Sequence, residues 1–151
     1  HYAADDDCVA LAGDLAASAE NEAGAVAAVY DYIVKHIKYD TPKAESIGTG
    51  YLSDADETLA TGKGICIDYA VLAAAMLRSQ GIPTKVITGY VAPNDLYHAW
   101  NMIWLKETGW ITVKIEVDKE TWTRVDLTFA AGGASNAFIG DGSNYRDYKT
   151  Y

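Results

Sequence analysis

One stretch, residues 65–80, limits most what this chain can become. Ala70, Val71, Leu72, Ala73, Ala74, Ala75, Met76 and Leu77 follow one another there with no polar break. The run is too long for a typical strand and is built from strong helix formers, so it predicts a buried helix. Gly62 and Gly64 precede it, and Gly81 and Pro83 close it.

The chain on either side differs in period. Before the buried helix the signal is helical. Residues up to about Ala28 are rich in Ala, Asp and Glu and read as helix interrupted near Gly24. Val26, Val29, Tyr30, Ile33 and Ile37 then form one apolar stripe. Thr41-Pro42 is expected to end that helix, with a loop over residues 43–50. Ser53, with Asp56 three residues on, predicts an N-cap for a short helix to about Thr61. After the buried helix the pattern becomes strand-like over Thr84–Val91 and residues 98–106, 110–117 and 121–129. Pro93-Asn94-Asp95, Glu107-Thr108-Gly109 and Asp118-Lys119-Glu120 read as breaks. The expectation is an α+β fold, a helical first half packed on an antiparallel sheet. From Ala130 a Gly-, Ser- and Asn-rich tail carries Tyr145, Tyr148 and Tyr151 as candidate surface anchors.

The chain has 151 residues, half of them apolar, which is enough for one domain with a real core. We therefore expect a single domain over residues 1–151, its core at about 26–129. A net charge of −9 and the absence of a basic stripe exclude nucleic acid as the expected partner. No apolar run is long enough to span a bilayer. The chain starts at His1 rather than Met, so it reads as a mature or excised segment, and we expect a secreted or cell-surface bacterial protein.

Two cysteines are present, Cys8 and Cys66. They could pair as one disulfide, and alone they cannot hold zinc. Cys66 stands at the start of the buried helix, where free N–H groups and the helix dipole favour a thiolate; a buried core cysteine is the competing account. His98 opens a strand, a place from which an imidazole can reach a helix start; a histidine satisfied by the backbone is the alternative. Asp126 is a carboxylate in an apolar strand, costly unless paired. It could orient an imidazole or bridge to Arg124. Asp68, two residues past Cys66, reads as a helix cap whose charge opposes a low thiol pKa. His36 and His1 read as solvated.

These neighbourhoods together carry a resemblance. Gly62-Lys63-Gly64-Ile65-Cys66-Ile67-Asp68-Tyr69-Ala70, Leu77-Arg78, Gly81-Ile82-Pro83-Thr84 and Thr88-Gly89-Tyr90 resemble the core of the transglutaminase-like superfamily. His98-Ala99-Trp100-Asn101 resembles its histidine motif, and the segment from Trp122 to Phe129 its aspartate motif. The upstream Ile37-Lys38-Tyr39 and the run from Asp54 to Leu59 also fit. The resemblance implies a papain-like fold with Cys66 as nucleophile, His98 as base and Asp126 as orienting acid. It implies thioester acyl transfer or hydrolysis on a peptide or protein amide, with no cofactor and no metal. Leu127 departs from the family's usual proline after the aspartate. The family also includes members that have lost activity, so an inactive binding or wall-associated module is the alternative. For the oxyanion, the Cys66 N–H is the expected first donor, with Tyr30 and Tyr39 as candidates for the second.

Overall fold

The computed structural model describes residues 2–48, 50–91, 96–117, 123–129 and 145–150. Five helices and seven strands follow in order: α1 (Asp7–Ala17), α2 (Glu22–His36), β1 (Lys38–Tyr39), α3 (Thr41–Ser46), α4 (Ala55–Thr61), β2 (Lys63–Gly64), α5 (Cys66–Ser79), β3 (Thr84–Val91), β4 (Leu96–Leu105), β5 (Gly109–Val117), β6 (Thr123–Phe129) and β7 (Tyr145–Thr150). The last five strands form one antiparallel sheet in the order β6-β5-β4-β3-β7, and β1 pairs with β2 in parallel.

The buried helix of the sequence reading is α5. Its residues Tyr69, Ala70, Leu72, Ala73, Ala74, Ala75, Met76 and Leu77 are all buried, and α1, α2, α4, β3 and β4 pack around it. The alanines have a specific use. Ala70 and Ala74 lie against Val86 and Ala99 of the sheet, so their small side chains let helix and sheet approach closely. Leu72, Met76 and Leu77 join the larger cluster with Val26, Val29 and Ile33 of α2. At the helix end Gly81 takes φ 75, which only glycine adopts freely. That turn brings the Ile82 N–H to the Leu77 carbonyl at 3.0 Å.

A buried polar residue locks helix to sheet. Asn101 on β4 is 1% exposed. Its amide donates to the Ala70 carbonyl at 2.9 Å and to the Lys85 carbonyl at 3.3 Å, and its oxygen accepts from the Tyr30 hydroxyl at 2.6 Å. One side chain thus joins α5, β3 and α2, with both its nitrogen and its oxygen bonded.

Several boundaries differ from expectation. The break in the first helical stretch comes before Gly24: Asn21 caps α2 by accepting from the Gly24 N–H at 2.8 Å. Thr41-Pro42 starts a helix instead of only ending one. Asp40 accepts from the Lys43 N–H at 3.1 Å and Pro42 sits in the first turn, where no N–H is needed, so the expected loop opens with α3. The cap of α4 is Asp54, accepting from Glu57 at 2.9 Å, one residue beyond Ser53. The strands lie where expected, within a few residues. The tail contributes β7 to the sheet, paired with β3; residues 130–144 lie outside the described residues.

Candidate active site

The site is built on a short segment clamped from both sides. Gly62 ends α4 in the left-handed conformation, φ 62. The Lys38 N–H donates to the Gly62 carbonyl at 2.8 Å and the Asp40 N–H to the Gly64 carbonyl at 2.9 Å. These bonds make the parallel β1–β2 pair and put Tyr39 level with Gly64. A Cβ on Gly64 would come within 2.8 Å of the Asp68 Cβ and 3.2 Å of Thr58 Cγ2. Glycine is needed there by the protein's own packing.

Asp68 fixes the start of α5. It is fully buried, and its Oδ2 accepts from the Ile65 N–H at 2.9 Å. That is the acidic half of a capping box. Lys43 Nζ lies 2.8 Å from the same oxygen, and the Tyr51 hydroxyl donates to Oδ1 at 2.8 Å. Lys43 also stands over the Tyr51 ring, 4.6 Å from its centre. Burial alone would raise the Asp68 pKa, but Lys43 and the other donors outweigh it and hold it below the usual range. Burial would lower that of Lys43, but the Asp68 carboxylate outweighs this and raises it. The pair therefore stays charged, as a buried ion must when its partners are in place. The structural role assigned to Asp68 from sequence is the one observed. Lys43 and Tyr51 were not legible, because they are separated from it in sequence and no spacing rule links them.

Cys66 is the first residue of α5 and is partly exposed. Burial raises its pKa most, while the Ala99 and Ile67 N–H groups lower it and the Asp68 charge raises it; the net direction is up. The expected thiolate-favouring effect of the helix start is present in the Ile67 N–H and the Cys66 backbone, but desolvation exceeds it. The Ala99 contact locates the thiol on the sheet. The β4–β5 ladder begins at Asn101↔Val113, so Ala99 lies beyond it, and its N–H turns to Cys66.

His98 is the residue before Ala99. It pairs with Gly89 of β3, is half-buried, and its Nε2 is shielded from solvent. The structure thus brings the strand carrying His98 against the Cys66 thiol. Asp126 has its backbone on β6, opposite Lys114 of β5, with β5 between it and β4. Its side chain, and that of Arg124, lie outside the described residues.

The two tyrosine candidates separate. Tyr30 is 3% exposed and its hydroxyl is committed to Asn101, so it does not serve an oxyanion. Tyr39 is at the surface, and its pKa is raised by burial and then by the charge of Cys66, which places it near the thiol. Cys8 and Cys66 are both free, which removes the disulfide account. Asp6, Cys8 and Asp56 bring ligand-type atoms within 4.8 Å of one another, but Asp56 is already bonded to the Asp7 and Cys8 amides at 3.0 and 2.9 Å.

The profile of the transglutaminase-like superfamily matches residues 9–115. The chain belongs to this superfamily. The matched stretch holds Cys66 and His98 and ends before Asp126. A protein-glutamine gamma-glutamyltransferase of Pseudomonas aeruginosa is 37% identical over 65 residues, covering 35% of this chain and 10% of that enzyme. Two solved structures share the transglutaminase-like fold: a TGase (TM-score 0.60, 23% identity, 74% of this chain and 31% of that one) and a candidate cysteine protease from Cytophaga hutchinsonii (TM-score 0.58, 18% identity, 90% and 55%). The chain spans only part of each relative's length. The superfamily includes both cysteine proteases and acyltransferases.

Proposed function

We propose that this transglutaminase-like chain is a thiol enzyme that transfers or hydrolyses the acyl group of a peptide or protein amide, with Cys66, His98 and Asp126 as its triad. The observation that carries the reading is the Cys66 thiol at the start of α5, packed against the cluster that contains Ala99, the residue beside His98. His98 takes the thiol proton as the sulfur attacks the amide carbonyl. The C–N bond breaks, the amine leaves with the proton from His98, and a thioester remains. Water or an amine then attacks the thioester, His98 relays its proton, and the thiol is restored. Asp126 holds the imidazole in the required tautomer and favours its charged form. The Cys66 N–H and the Tyr39 hydroxyl stabilise the oxyanion.

Burial raises the Cys66 pKa, which disfavours a standing thiolate, and in this reading the base acts during attack rather than before it. That same raised pKa is the one observation favouring the inactive binding module. Mass spectrometry after incubation with a peptide library, with and without an added amine, separates the two. Products from the parent and none from Cys66→Ala support the enzyme; no products from the parent overturn it. The products' masses also tell hydrolysis from transamidation. A secreted or cell-surface location in a bacterium is part of this proposal. Among the described residues no helix is long and apolar enough to cross a membrane.

A further inference from the structure

Among the described residues six large apolar side chains are exposed, and four of them stand close together in the fold; Tyr2 and Trp104 are the other two. The four are Tyr39, Leu52, Tyr90 and Tyr97, and all belong to segments that meet at the start of α5. Tyr39 pairs with Gly64, two residues before Cys66. Leu52, 89% exposed, follows Tyr51, whose hydroxyl is tied to Asp68. Clustered apolar exposure of this kind marks a binding surface more often than single exposed residues do.

Tyr90 and Tyr97 are placed there by strand alternation. Val86↔Asn101 and Thr88↔Ala99 are successive rows on the sheet face beneath α5. Thr88 and Ala99 are each 4% exposed, and Ala99 packs with Cys66. The next row on the same face is Tyr90↔Tyr97. It lies one step beyond the helix start, so the sheet face continues past the thiol. The two rings meet edge to face with centroids 5.4 Å apart, and they remain 40% and 49% exposed.

We propose that Tyr90 and Tyr97 are specificity-determining residues that hold an aromatic or large aliphatic side chain of the acyl-donor peptide beside Cys66. This rests on the catalytic reading of Cys66. Rigid, half-exposed tyrosines offer large contact area at low entropic cost. The net charge of −9 disfavours an acidic peptide in the same place.

The test uses peptidyl chloromethyl ketones that carry Phe, Leu, Ala or Glu next to the warhead. Each forms an S–C bond to Cys66 as chloride leaves, and the rate is read from the mass of the modified protein. In the parent the Phe and Leu reagents should react about tenfold faster than the Ala reagent, the size of one good aromatic contact. Tyr97→Ala and Tyr90→Ala should bring that ratio close to one, while Tyr97→Phe keeps it. The iodoacetamide rate at Cys66 should be unchanged in all three, which shows that the thiol and its setting are intact. A ratio near one in the parent, or one that survives both alanine variants, overturns the subsite. A Cys66 that resists every peptidyl reagent and iodoacetamide alike overturns the catalytic reading itself.

Discussion

The chain holds two cysteines at two helix starts, each with an aspartate beside it, and only one of them makes a candidate nucleophile. Cys66 opens α5 and Cys8 is the second residue of α1. At α5 the carboxylate of Asp68 turns back to the Ile65 amide and is neutralised by Lys43. At α1 the carboxylate comes from another helix: Asp56 of α4 accepts from the amides of both Asp7 and Cys8. Burial, the hydrogen bond to Asp56, and the charges of Asp56 and Asp6 push the Cys8 thiol up to about 12. Cys8 has no exposed surface, whereas Cys66 is partly open and receives N–H groups from α5 and the sheet. A helix start alone therefore does not make a reactive thiol. What decides is whether the nearby carboxylate is answered by a cation and whether the sulfur reaches a surface.

The largest effect that tests this contrast is alkylation of the native protein. Iodoacetamide should modify Cys66 on the order of a thousandfold faster than Cys8, because Cys8 is reached only when the fold opens. The Cys66 rate should also rise with pH, by about tenfold per unit below its pKa, with the rise persisting above the free-cysteine value of about 8.5. The sign follows from burial, which raises the pKa and keeps the thiol neutral for longer. A rate that is already flat in mildly acidic buffer would show instead a thiolate held by a charged imidazole in the resting protein. Equal labelling of both cysteines would remove the contrast.

Next in size is Asp68→Ala. It leaves Lys43 without its buried partner and the Ile65 amide without its acceptor, and should cost about 3–5 kcal/mol, read by urea denaturation. The pH dependence has a definite sign. The folded pKa of Asp68 is lowered, so its contribution is complete above the unfolded value of about 3.9 and is lost as pH falls through the lower folded value. The variant should lose that part of the acid sensitivity. A cost below about 1 kcal/mol, the range of exposed pairs, would mean that Lys43 and Asp68 do not behave as a buried pair.

The legibility of these two regions differs for the same physical reason. The α5 start was readable because its signals are local: glycines before, a cysteine, an acid two residues on, then an apolar run. The sheet was readable from period-two alternation and turn residues. The Asp56–Cys8 contact joins residues far apart in sequence, as do Lys43–Asp68 and Tyr30–Asn101, and a single sequence does not encode such pairings as spacing. Tyr30 shows the cost of that limit: its place on an apolar helical stripe was visible, but its commitment to Asn101 was not. The thiol pKa failed differently. The helix-start effect was identified correctly, but its opponent, desolvation, depends on how deeply the sulfur sits in the finished fold. His98 and Cys66 were placed by motif, and the structure adds the Ala99 link between their elements.

The smallest predicted effect probes the Cys8 end directly. In Asp56→Asn one neutral oxygen replaces a carboxylate that serves two amides, so one of the bonds to Asp7 and Cys8 is lost and the other weakened. Loss of such a cap costs about 1 kcal/mol, and denaturation at neutral pH should show it. The Cys8 thiol should also shift downward from about 12, because a charge and an acceptor have gone, yet it should stay above an ordinary cysteine because burial is the first cause of its elevation. Burial would raise the pKa of Asp56 itself, but the Cys8 and Asp7 donors outweigh it and hold it down. Its stabilising contribution is therefore present above about pH 3.9 and is lost as pH falls through the lower folded value, an acid-labile component the asparagine variant lacks. Cys66 alkylation should not change, since no contact links Asp56 to that site among the described residues. If Cys66 reactivity moved together with Cys8 titration, the two helix starts would be coupled through α4, which packs on both α1 and α5, and their difference could not be assigned to local carboxylates.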